Sequence, residues 1–314
     1  MASSTRGEIL DPSFRVEEEM VRGYKAEHYY PVRIGDMFQK RYKVVGKLGY
    51  GSASTVWLCR DTQASEAFVA LKVYINSSKR HRELPIYEHI NSLGSDLSGR
   101  AHIRDLLDSF EISGPHGKHI CLVHEALGKN LEELRDVIPE RVFEPDLVRH
   151  TLRDILRALH FLHTDAGIIH TDIQPNNILL GVRDNSMFKR FEQDELENPM
   201  PRKELPGRTI YCSRPMRITR GAPALCDFSE ARFVGPHNRG RVMPAVYRAP
   251  EVILDMPWGC PIDIWGFAMT VSFSACTIST SWPDHRFKSC GIYLSQSDWF
   301  LLRGKTVSTQ SNTI

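Results

Sequence analysis

The sequence predicts an α+β fold with two lobes, in which β-strands come first and helices follow. Between residues 41 and 75, three runs that alternate apolar and polar side chains are separated by turn residues, which predicts an antiparallel meander. Farther along, residues 147–163 carry leucine and isoleucine at helical spacing, which predicts a long amphipathic helix. Strands followed by helices are the pattern of an α+β protein.

The composition excludes several classes of protein. The chain has 314 residues, of which 41% are hydrophobic and 25% charged, a balance that rules out collagen-like, wholly disordered and disulfide-scaffold chains. Because the formal net charge is only +2, we expect no direct nucleic-acid partner. The seven cysteines are scattered and form no CxxC pair, which indicates reduced thiols and a location in the cytoplasm, the nucleus or both.

No segment has the character of a membrane anchor. The N-terminus lacks the apolar core of a secretory signal, and the uncharged stretch 264–283 contains seven Ser or Thr residues. Such a stretch is too polar for a membrane span. We therefore expect a soluble, monomeric protein.

Four regions are expected along the chain. They are a leader over 1–37, a β-rich lobe over 38–127, a helical lobe over 128–270 and a divergent tail over 271–314. The leader carries three consecutive glutamates and should lie against a domain rather than form one.

Within the helical lobe, residues 181–224 stand out. They contain five prolines and mixed charges, which predicts an inserted, mobile surface loop.

Local patterns place the elements of the first lobe. The meander is predicted at 42–45, 55–59 and 68–73, with two further strands around 103–112 and 119–123. A helix between these groups is predicted by apolar residues at three-residue spacing, namely Leu84, Tyr87, Ile90 and Leu93.

Gly49, Tyr50 and Gly51 lie between two predicted strands, so they do not form a Rossmann turn, which needs a helix after its glycines. Such a hairpin can bring backbone N–H groups close to phosphates, although most GxG hairpins are simple turns. Lys72 ends an apolar strand, where a lysine is costly unless it is paired. Glu83 is the better partner, because it precedes the apolar face of the next helix, whereas Glu88 is its rival on that helix.

The strongest signal is a polar loop between two apolar segments within 168–180. It holds Asp172 and Asn177, which suit an orienting carboxylate and a metal-binding amide. Asp227 follows as a second carboxylate, and the motifs at 247–251 and 263–266 complete the series.

These six motifs, in this order, resemble those of eukaryotic-type protein kinases over roughly residues 38–270. The chain is similar in particular to the SR-protein kinase group and its fungal relatives. The residues that carry this similarity are 32–36, 47–51, 54–58 and above all 170–172. The resemblance implies a bilobal kinase fold and a serine/threonine kinase that uses ATP and Mg²⁺. It also implies a protein substrate, for which a segment rich in Arg and Ser is a candidate.

The resemblance also assigns roles to single residues. It places Asp172, Lys72 and Gln174 at the catalytic centre and Asn177 and Asp227 on the metal ion. The residues that it places around the nucleotide are Leu48, Gly49, Tyr50, Gly51, Ser52, Val56, Ala70, Lys72, Glu83, Glu125 and Leu127.

Three further positions follow from the same resemblance. His124 would be the gatekeeper, beside a hinge at 125–127 that would hydrogen-bond adenine. Glu251 and Asp263 would be structural, because they would tie the activation segment to the helical lobe.

Three positions depart from the kinase pattern. Thr171 replaces an arginine that receives an activation-loop phosphate in many kinases, and 227–251 contains Ser229 as its only Ser or Thr. We therefore expect no switching by loop phosphorylation. Gln174 replaces a lysine, whose loss would cost on the order of 10²–10³ in rate if nothing substitutes for it. Ser229 replaces the glycine after Asp-Phe and removes no catalytic group.

The resemblance fades after about Thr270, so we expect an incomplete helical lobe that leaves the apolar face of Leu147–Leu162 and the segment around Trp265 and Phe267 without some packing partners. This predicts poor expression, dye binding and weak phosphorylation, unless the tail substitutes. The tail residues available for that are Trp282, Phe287, Tyr293, Leu294, Trp299, Phe300, Leu301 and Leu302. The alternatives to an active protein kinase are a catalytically weak or inactive nucleotide-binding pseudokinase that acts as a scaffold, and a small-molecule kinase.

Overall fold

The computed structural model describes residues 7–64, 67–77, 82–94 and 97–275. The tail residues named above lie outside this part of the chain. Of the helices described, none combines the length and apolar character needed to cross a membrane.

The first lobe is built on one curved antiparallel sheet. Its strands are β1 (Met37–Phe38), β2 (Tyr42–Tyr50), β3 (Ser54–Asp61), β4 (Phe68–Tyr74), β5 (Leu106–Gly114) and β6 (Gly117–Glu125). They pair in the order β1-β2-β3-β4-β6-β5, so each hairpin joins neighbours and only β4 pairs out of sequence. The predicted meander is thus present, and both further strands exist, although the first begins at Leu106 rather than near residue 103.

One α-helix belongs to the first lobe, and the others follow the sheet along the chain. Within the described residues they are α1 (Glu83–Ser92), α2 (Leu131–Val137), α3 (Pro145–His160), α4 (Ser186–Glu197), α5 (Pro250–Ile253) and α6 (Pro261–Ala275). The long predicted helix is α3 followed by a π-helical turn over Phe161–Asp165. Ile155 and Leu159 on its inner face are almost fully buried, as their spacing predicts. The bilobal fold, with a β-rich first lobe and a helical second lobe, is confirmed.

One apolar core joins α1, α3 and α6. Tyr87 and Ile90 of α1 belong to it, as does Phe267 of α6, which is only 3% exposed. The expected lack of cover at Phe267 is therefore wrong, because its side chain packs in this core. Trp265 points outward instead and is 42% exposed.

Two short ladders frame the polar loop between the lobes. Strands β7 (Ile168–Ile169) and β8 (Ile178–Leu180) pair respectively with β12 (Arg232–Phe233) and β11 (Pro223–Leu225), all antiparallel. Because both ends of each loop are held by a ladder, the polar residues 170–177 and 226–231 are brought face to face.

The insertion over 181–224 is not a loop without regular structure, which corrects that expectation. It contains α4 and a hairpin of β9 (Arg202–Leu205) and β10 (Arg208–Tyr211). Phe188 and Phe191 of α4 are buried against the first lobe. The Phe191 ring lies so close to Gly46 that a Cβ added to this glycine would be 2.8 Å from a ring carbon. The five prolines all follow the last residue of α4, so they limit the helix without preventing it.

The leader lies along the insertion and the first lobe, as expected. Its glutamates enter buried ion pairs, Glu18 with Lys47 of β2 and Glu19 with Lys203 of β9, where the Nζ–Oε2 distance is 2.6 Å. Glu17 accepts hydrogen bonds from the backbone N–H and the hydroxyl of Ser213. Three charged side chains in a row therefore fix the leader to two separate elements.

Candidate active site

One carboxylate, on α6, anchors the loop between β7 and β8. Asp263 of α6 is fully buried and accepts hydrogen bonds from the backbone N–H groups of His170 (2.7 Å) and Thr171 (2.8 Å). His163 contacts the same carboxylate at 2.9 Å through Nε2. Asp263 thus ties the polar loop to α6. Its side-chain hydrogen bonds among the described residues go to 163–171 and not to the segment 227–251, so the expected tie to the activation segment stays a prediction.

Asp172 lies at the centre of this loop between two amides. The Gln174 side chain donates to its Oδ1 at 2.9 Å, and Asn177 donates to its Oδ2 and to its backbone oxygen, each at 2.8 Å. Burial raises the pKa of Asp172 above its usual range, although both amides and the neighbouring His170 favour the charged form. The carboxylate is held in one orientation by groups that carry no charge.

Lys72 connects the two lobes. Its Nζ lies 2.7 Å from Glu83 Oε2 and 3.1 Å from Asp227 Oδ1, so the predicted Lys72–Glu83 pair is present. Glu83 is 2% exposed, whereas its rival Glu88 is exposed. Desolvation acts to lower the pKa of Lys72, but the two carboxylates outweigh it and raise that pKa well above the usual value. The ammonium group therefore stays charged inside the cleft.

Asp227 sits in a strained backbone conformation, with φ at +64°. Burial by itself would raise its pKa, but the Lys72 charge and hydrogen bonds from Ser229 lower it far below the ordinary Asp value. The next residue is held as well, since the Phe228 N–H donates to Glu83 Oε1 at 3.3 Å. Glu83 thus contacts both Lys72 and the backbone beside Asp227.

A continuous series of aromatic rings runs behind these charges from one lobe to the other. The ring of His124 contacts Tyr87 at 5.0 Å between centroids, Tyr87 contacts Phe228 at 5.1 Å, and Phe228 contacts His170 at 4.9 Å. All four side chains are buried. This packing holds α1, β6 and the polar loops in one arrangement.

The glycine hairpin joins β2 to β3 beside this cleft. A Cβ added at Gly49 or at Gly51 would meet no atom within 4 Å, so the space next to the hairpin is open. Ser52 at its tip is exposed, and Leu48 is partly buried. The Tyr50 ring lies 5.2 Å from the Lys47 ammonium, on the side of the leader. The Tyr50 ring thus lies beside Lys47, which pairs with Glu18 of the leader.

Apolar residues form the sheet side of the cleft. Ala70 of β4 is fully buried and pairs with Leu58 and His124 in the ladder, while Val56 of β3 pairs with Lys72 and is half-buried. Leu127, just after β6, packs with Leu179, Ala224 and Cys226. These side chains suit a flat apolar ring.

Arg104 braces the end of β6, which carries His124 and Glu125. Its guanidinium donates two hydrogen bonds to the Glu125 backbone oxygen, at 2.9 and 3.1 Å, and the Asp105 N–H donates to the Glu125 side chain. Burial raises the pKa of Glu125. Burial also lowers the pKa of His124 well below its usual value, and the charge of Arg104 lowers it further. His124 is therefore a neutral residue at the back of the cleft.

The unusual residues of the site have structural explanations. Thr171 is fully buried with φ at +67°, and its hydroxyl donates to the Glu230 backbone oxygen at 2.7 Å, which links the two polar loops. Ser229 donates its N–H to Asp227 at 3.3 Å. Glu251 is half-buried and has no side-chain hydrogen bond to another described residue, so its structural role stays a prediction.

The described residues fit a magnesium nucleotide. Asn177 directs its NH₂ group toward Asp172, which leaves its amide oxygen as the ligand atom, and Asp227 supplies a low-pKa carboxylate opposite. Two oxygen ligands are few for a protein-only site, but Mg²⁺ commonly takes its other ligands from phosphates and water. The phosphates would have open space beside Gly49 and Gly51 and a positive charge at Lys72.

Comparison with known proteins identifies the family. The family model described as the protein kinase domain matches residues 42–290, which is most of the chain. The chain belongs to the protein kinase family. The match runs past Thr270, farther than the sequence motifs alone indicated.

Its relatives are serine/threonine kinases. A serine/threonine protein kinase of Aspergillus fumigatus is 38% identical over 262 residues, which cover 82% of this chain and 63% of that protein. The serine/threonine-protein kinase SRPK of Physarum polycephalum is 33% identical over 82% of this chain and 66% of its own length. The SRSF protein kinase 3 of Mus musculus is 40% identical over 65% of this chain and 37% of its own. The chain thus spans less than two thirds of these relatives.

Two features of the site were not foreseen in the sequence. The leader residue Tyr29 reaches the glycine hairpin, where its hydroxyl donates to the Gly51 oxygen at 3.1 Å. Tyr87 links His124 to Phe228, although the spacing indicated only an apolar helix face. The sequence signal for the first was the aromatic stretch at 28–30, which had no predicted partner.

Proposed function

We propose that this chain is an ATP-dependent protein serine/threonine kinase of the SR-protein-kinase type. The observation that carries the proposal is the position of Lys72, which lies within 2.7 Å of Glu83 and 3.1 Å of Asp227. In this arrangement both lobes contribute charged side chains to one centre, where Lys72 and a metal ion on Asp227 would bind the phosphates of a nucleoside triphosphate. The relatives named above support the same reaction class.

Asp172 would receive the substrate hydroxyl. Its carboxylate is fixed by Gln174 and Asn177 and is not engaged with any cation among the described residues, so it can accept a hydrogen bond from an incoming serine or threonine. The oxygen of that hydroxyl would then face the γ-phosphorus. As the new P–O bond forms, the bond between the γ-phosphorus and the β,γ-bridging oxygen would break, ADP would leave, and the hydroxyl proton would pass to Asp172. Positioning of this kind supplies most of the catalysis in phosphoryl transfer.

Asn177 and Asp227 would hold Mg²⁺, which neutralises charge on the phosphates when bound. Lys72 would contact the α- and β-phosphates while Glu83 keeps it in place. Leu48, Val56, Ala70 and Leu127 would enclose the adenine, with the backbone at 125–127 as its hydrogen-bonding edge. The backbone of Gly49, Tyr50, Gly51 and Ser52 would cover the phosphates.

The substrate that we propose is a protein segment rich in Arg and Ser. This finer statement rests on the similarity to kinases whose names refer to SR and SRSF proteins. Because the described cysteines are unpaired, a reducing location in the cytoplasm or nucleus is also part of the proposal.

The test is phosphorylation of matched peptides by the purified chain with Mg·ATP. Three peptides with alternating Arg and Ser, Arg and Thr, or Arg and Tyr distinguish the hydroxyl that is used, and a Lys-Ser peptide tests the need for Arg. The expected order is Ser above Thr, with no transfer to Tyr, and Asp172→Asn should abolish transfer while the protein remains folded. Transfer to Tyr, or equal activity of Asp172→Asn, would contradict the proposal.

A further inference from the structure

The leader reaches the nucleotide side of the first lobe through a single buried tyrosine. Tyr29 is 6% exposed, its ring lies 5.1 Å from that of Tyr24, and its backbone oxygen accepts a hydrogen bond from Arg208 of β10. The preceding residue is held too, since the Asn76 N–H donates to the His28 oxygen at 3.0 Å. Tyr29 is therefore fixed on both sides before it meets the hairpin.

Its hydroxyl completes the hydrogen bonding of one glycine. The Gly51 N–H donates to the Ser54 oxygen at 2.8 Å within the hairpin, and the Gly51 oxygen accepts from Tyr29 Oη at 3.1 Å. Both backbone polar groups of Gly51 are thus engaged, one inside the hairpin and one with the leader. Burial raises the pKa of Tyr29 to about 12, so its phenol keeps its proton at neutral pH.

This contact sets the direction of the next amide. In a trans peptide the C=O and the following N–H point in opposite directions, and no described peptide bond is cis. Holding the Gly51 oxygen toward Tyr29 therefore holds the Ser52 N–H away from the leader. Without that bond a glycine has wide freedom to rotate this peptide plane.

The leader is itself anchored strongly enough to act as a support. Lys47 is 2% exposed and pairs with Glu18, and its Nζ also donates to the Tyr211 oxygen at 3.0 Å. Lys203 lies 2.6 Å from Glu19 and is equally buried. These pairs fix the leader to β2 and to the insertion, so Tyr29 is presented from a rigid surface.

We infer that Tyr29 is a positioning residue of the nucleotide site, which orients the phosphate-binding amide of Ser52 through its hydrogen bond to Gly51. This inference rests on the proposed function, since it assumes that the hairpin covers phosphates. Where the binding-competent hairpin is only partly populated, the apparent affinity falls by that fraction. Loss of one neutral hydrogen bond changes such a population by about threefold to tenfold.

The test compares two Tyr→Phe variants of the full chain. Tyr29→Phe removes the contact to Gly51 and keeps the ring, whereas Tyr24→Phe removes a hydroxyl that accepts from Arg208 at 3.0 Å in the same stack. The measurements are the Kd for Mg·ADP, the thermal midpoint, and hydrogen exchange of the hairpin without nucleotide. Tyr29→Phe should weaken Mg·ADP binding about threefold to tenfold and speed exchange at residues 50–54, while Tyr24→Phe leaves both near wild type.

The outcomes separate the two claims. Equal Mg·ADP affinity and equal exchange in wild type and Tyr29→Phe would overturn the role of Tyr29 and leave the proposed function intact. An equal loss of affinity in both variants, in step with a lower midpoint, would also overturn it, because stability alone would then account for the effect. A folded wild-type chain that does not bind Mg·ADP would overturn the proposed function and this inference with it.

Discussion

Gln174 places a neutral amide against Asp172, at a position where the kinase pattern has a positive charge. Its hydrogen bond to Asp172 Oδ1 is 2.9 Å long, so the amide can orient the carboxylate. Under the proposed function it would supply no positive charge to the transferred phosphoryl. We predict that Gln174→Lys raises kcat by a factor on the order of 10²–10³. The measurement is steady-state phosphorylation of an Arg-Ser peptide at saturating Mg·ATP.

A matched variant separates charge from orientation. Gln174→Ala removes the hydrogen bond without adding charge and should lower kcat below that of the wild type. If Gln174→Lys leaves kcat unchanged, a positive charge at this position does not raise the rate, and the interpretation that Gln174 lowers kcat is wrong.

The protonation of Asp172 gives a second prediction at this scale. Because burial raises the pKa of this carboxyl above the ordinary Asp value of 3.8, the active carboxylate is present above the raised pKa and is lost as the pH falls through it. The acid limb of the kcat–pH profile should therefore lie above pH 3.8. An added positive charge in Gln174→Lys should move this limb to lower pH, and Gln174→Glu should move it to higher pH. If the acid limb of the kcat–pH profile falls at the same pH in the wild type and in both variants, a group other than Asp172 is responsible for it.

Single residues differ in how far the sequence predicts them. The partner of Lys72 followed from helix periodicity, because Glu83 stands just before the buried face of α1 and Glu88 does not. The bond between Tyr29 and Gly51 did not follow, since nothing local requires a leader residue to approach that hairpin. Spacing can indicate a contact between elements that follow one another in the chain, whereas contacts between distant segments depend on packing that no local pattern specifies.

Among the elements, α4 tests whether the insertion is part of the folded core. Phe188 is 1% exposed and contacts Phe68 of β4, with ring centroids 5.6 Å apart. We predict that Phe188→Ala lowers the free energy of unfolding by about 3–5 kcal/mol, because it leaves a cavity between α4 and the sheet. The measurement is denaturant unfolding of the full chain.

The matched control is on the outer face of the same helix. Leu196 is 69% exposed, so Leu196→Ala should change the free energy of unfolding by less than about 0.5 kcal/mol. Equal and small effects of both substitutions would show that α4 does not pack on the first lobe in solution.

The insertion also shows why element prediction was incomplete. The proline count over the whole segment indicated a loop, but the prolines lie after Glu197 and the preceding twelve residues contain none. Phe188 and Phe191 stand three residues apart, a helical spacing that the average composition of the segment concealed. The strands and α1 were predicted because each repeats its pattern over its own length.

For the whole molecule, regulation is the property that the sequence predicts most directly. Ser229 is the only Ser or Thr between Asp227 and Glu251, and Thr171 uses its hydroxyl on Glu230 rather than on a phosphate. We predict that phosphatase treatment leaves peptide phosphorylation unchanged, as measured on one preparation before and after treatment. A large loss of activity would place a regulatory phosphate elsewhere in the chain.

The two-lobed architecture was predictable because the strand patterns of the six-stranded sheet precede the long helical pattern of α3 along the chain. Three contacts between distant segments were not predictable: the Lys72–Asp227 ion pair, the aromatic series from His124 to His170, and the leader that joins β2 to the insertion. Each joins segments far apart in sequence, so each became visible only in the folded chain.

Nucleotide binding at Lys72 is the central claim, and thermal unfolding with and without Mg·ATP tests it most directly. Binding to the folded state alone stabilises it, by about 2.7 kcal/mol at a ligand concentration 100 times Kd. Mg·ATP should therefore raise the unfolding midpoint of the wild-type chain, and Lys72→Met should abolish the rise while remaining folded. A folded wild-type chain whose midpoint Mg·ATP does not change, or a Lys72→Met variant that keeps the full shift, would contradict the account.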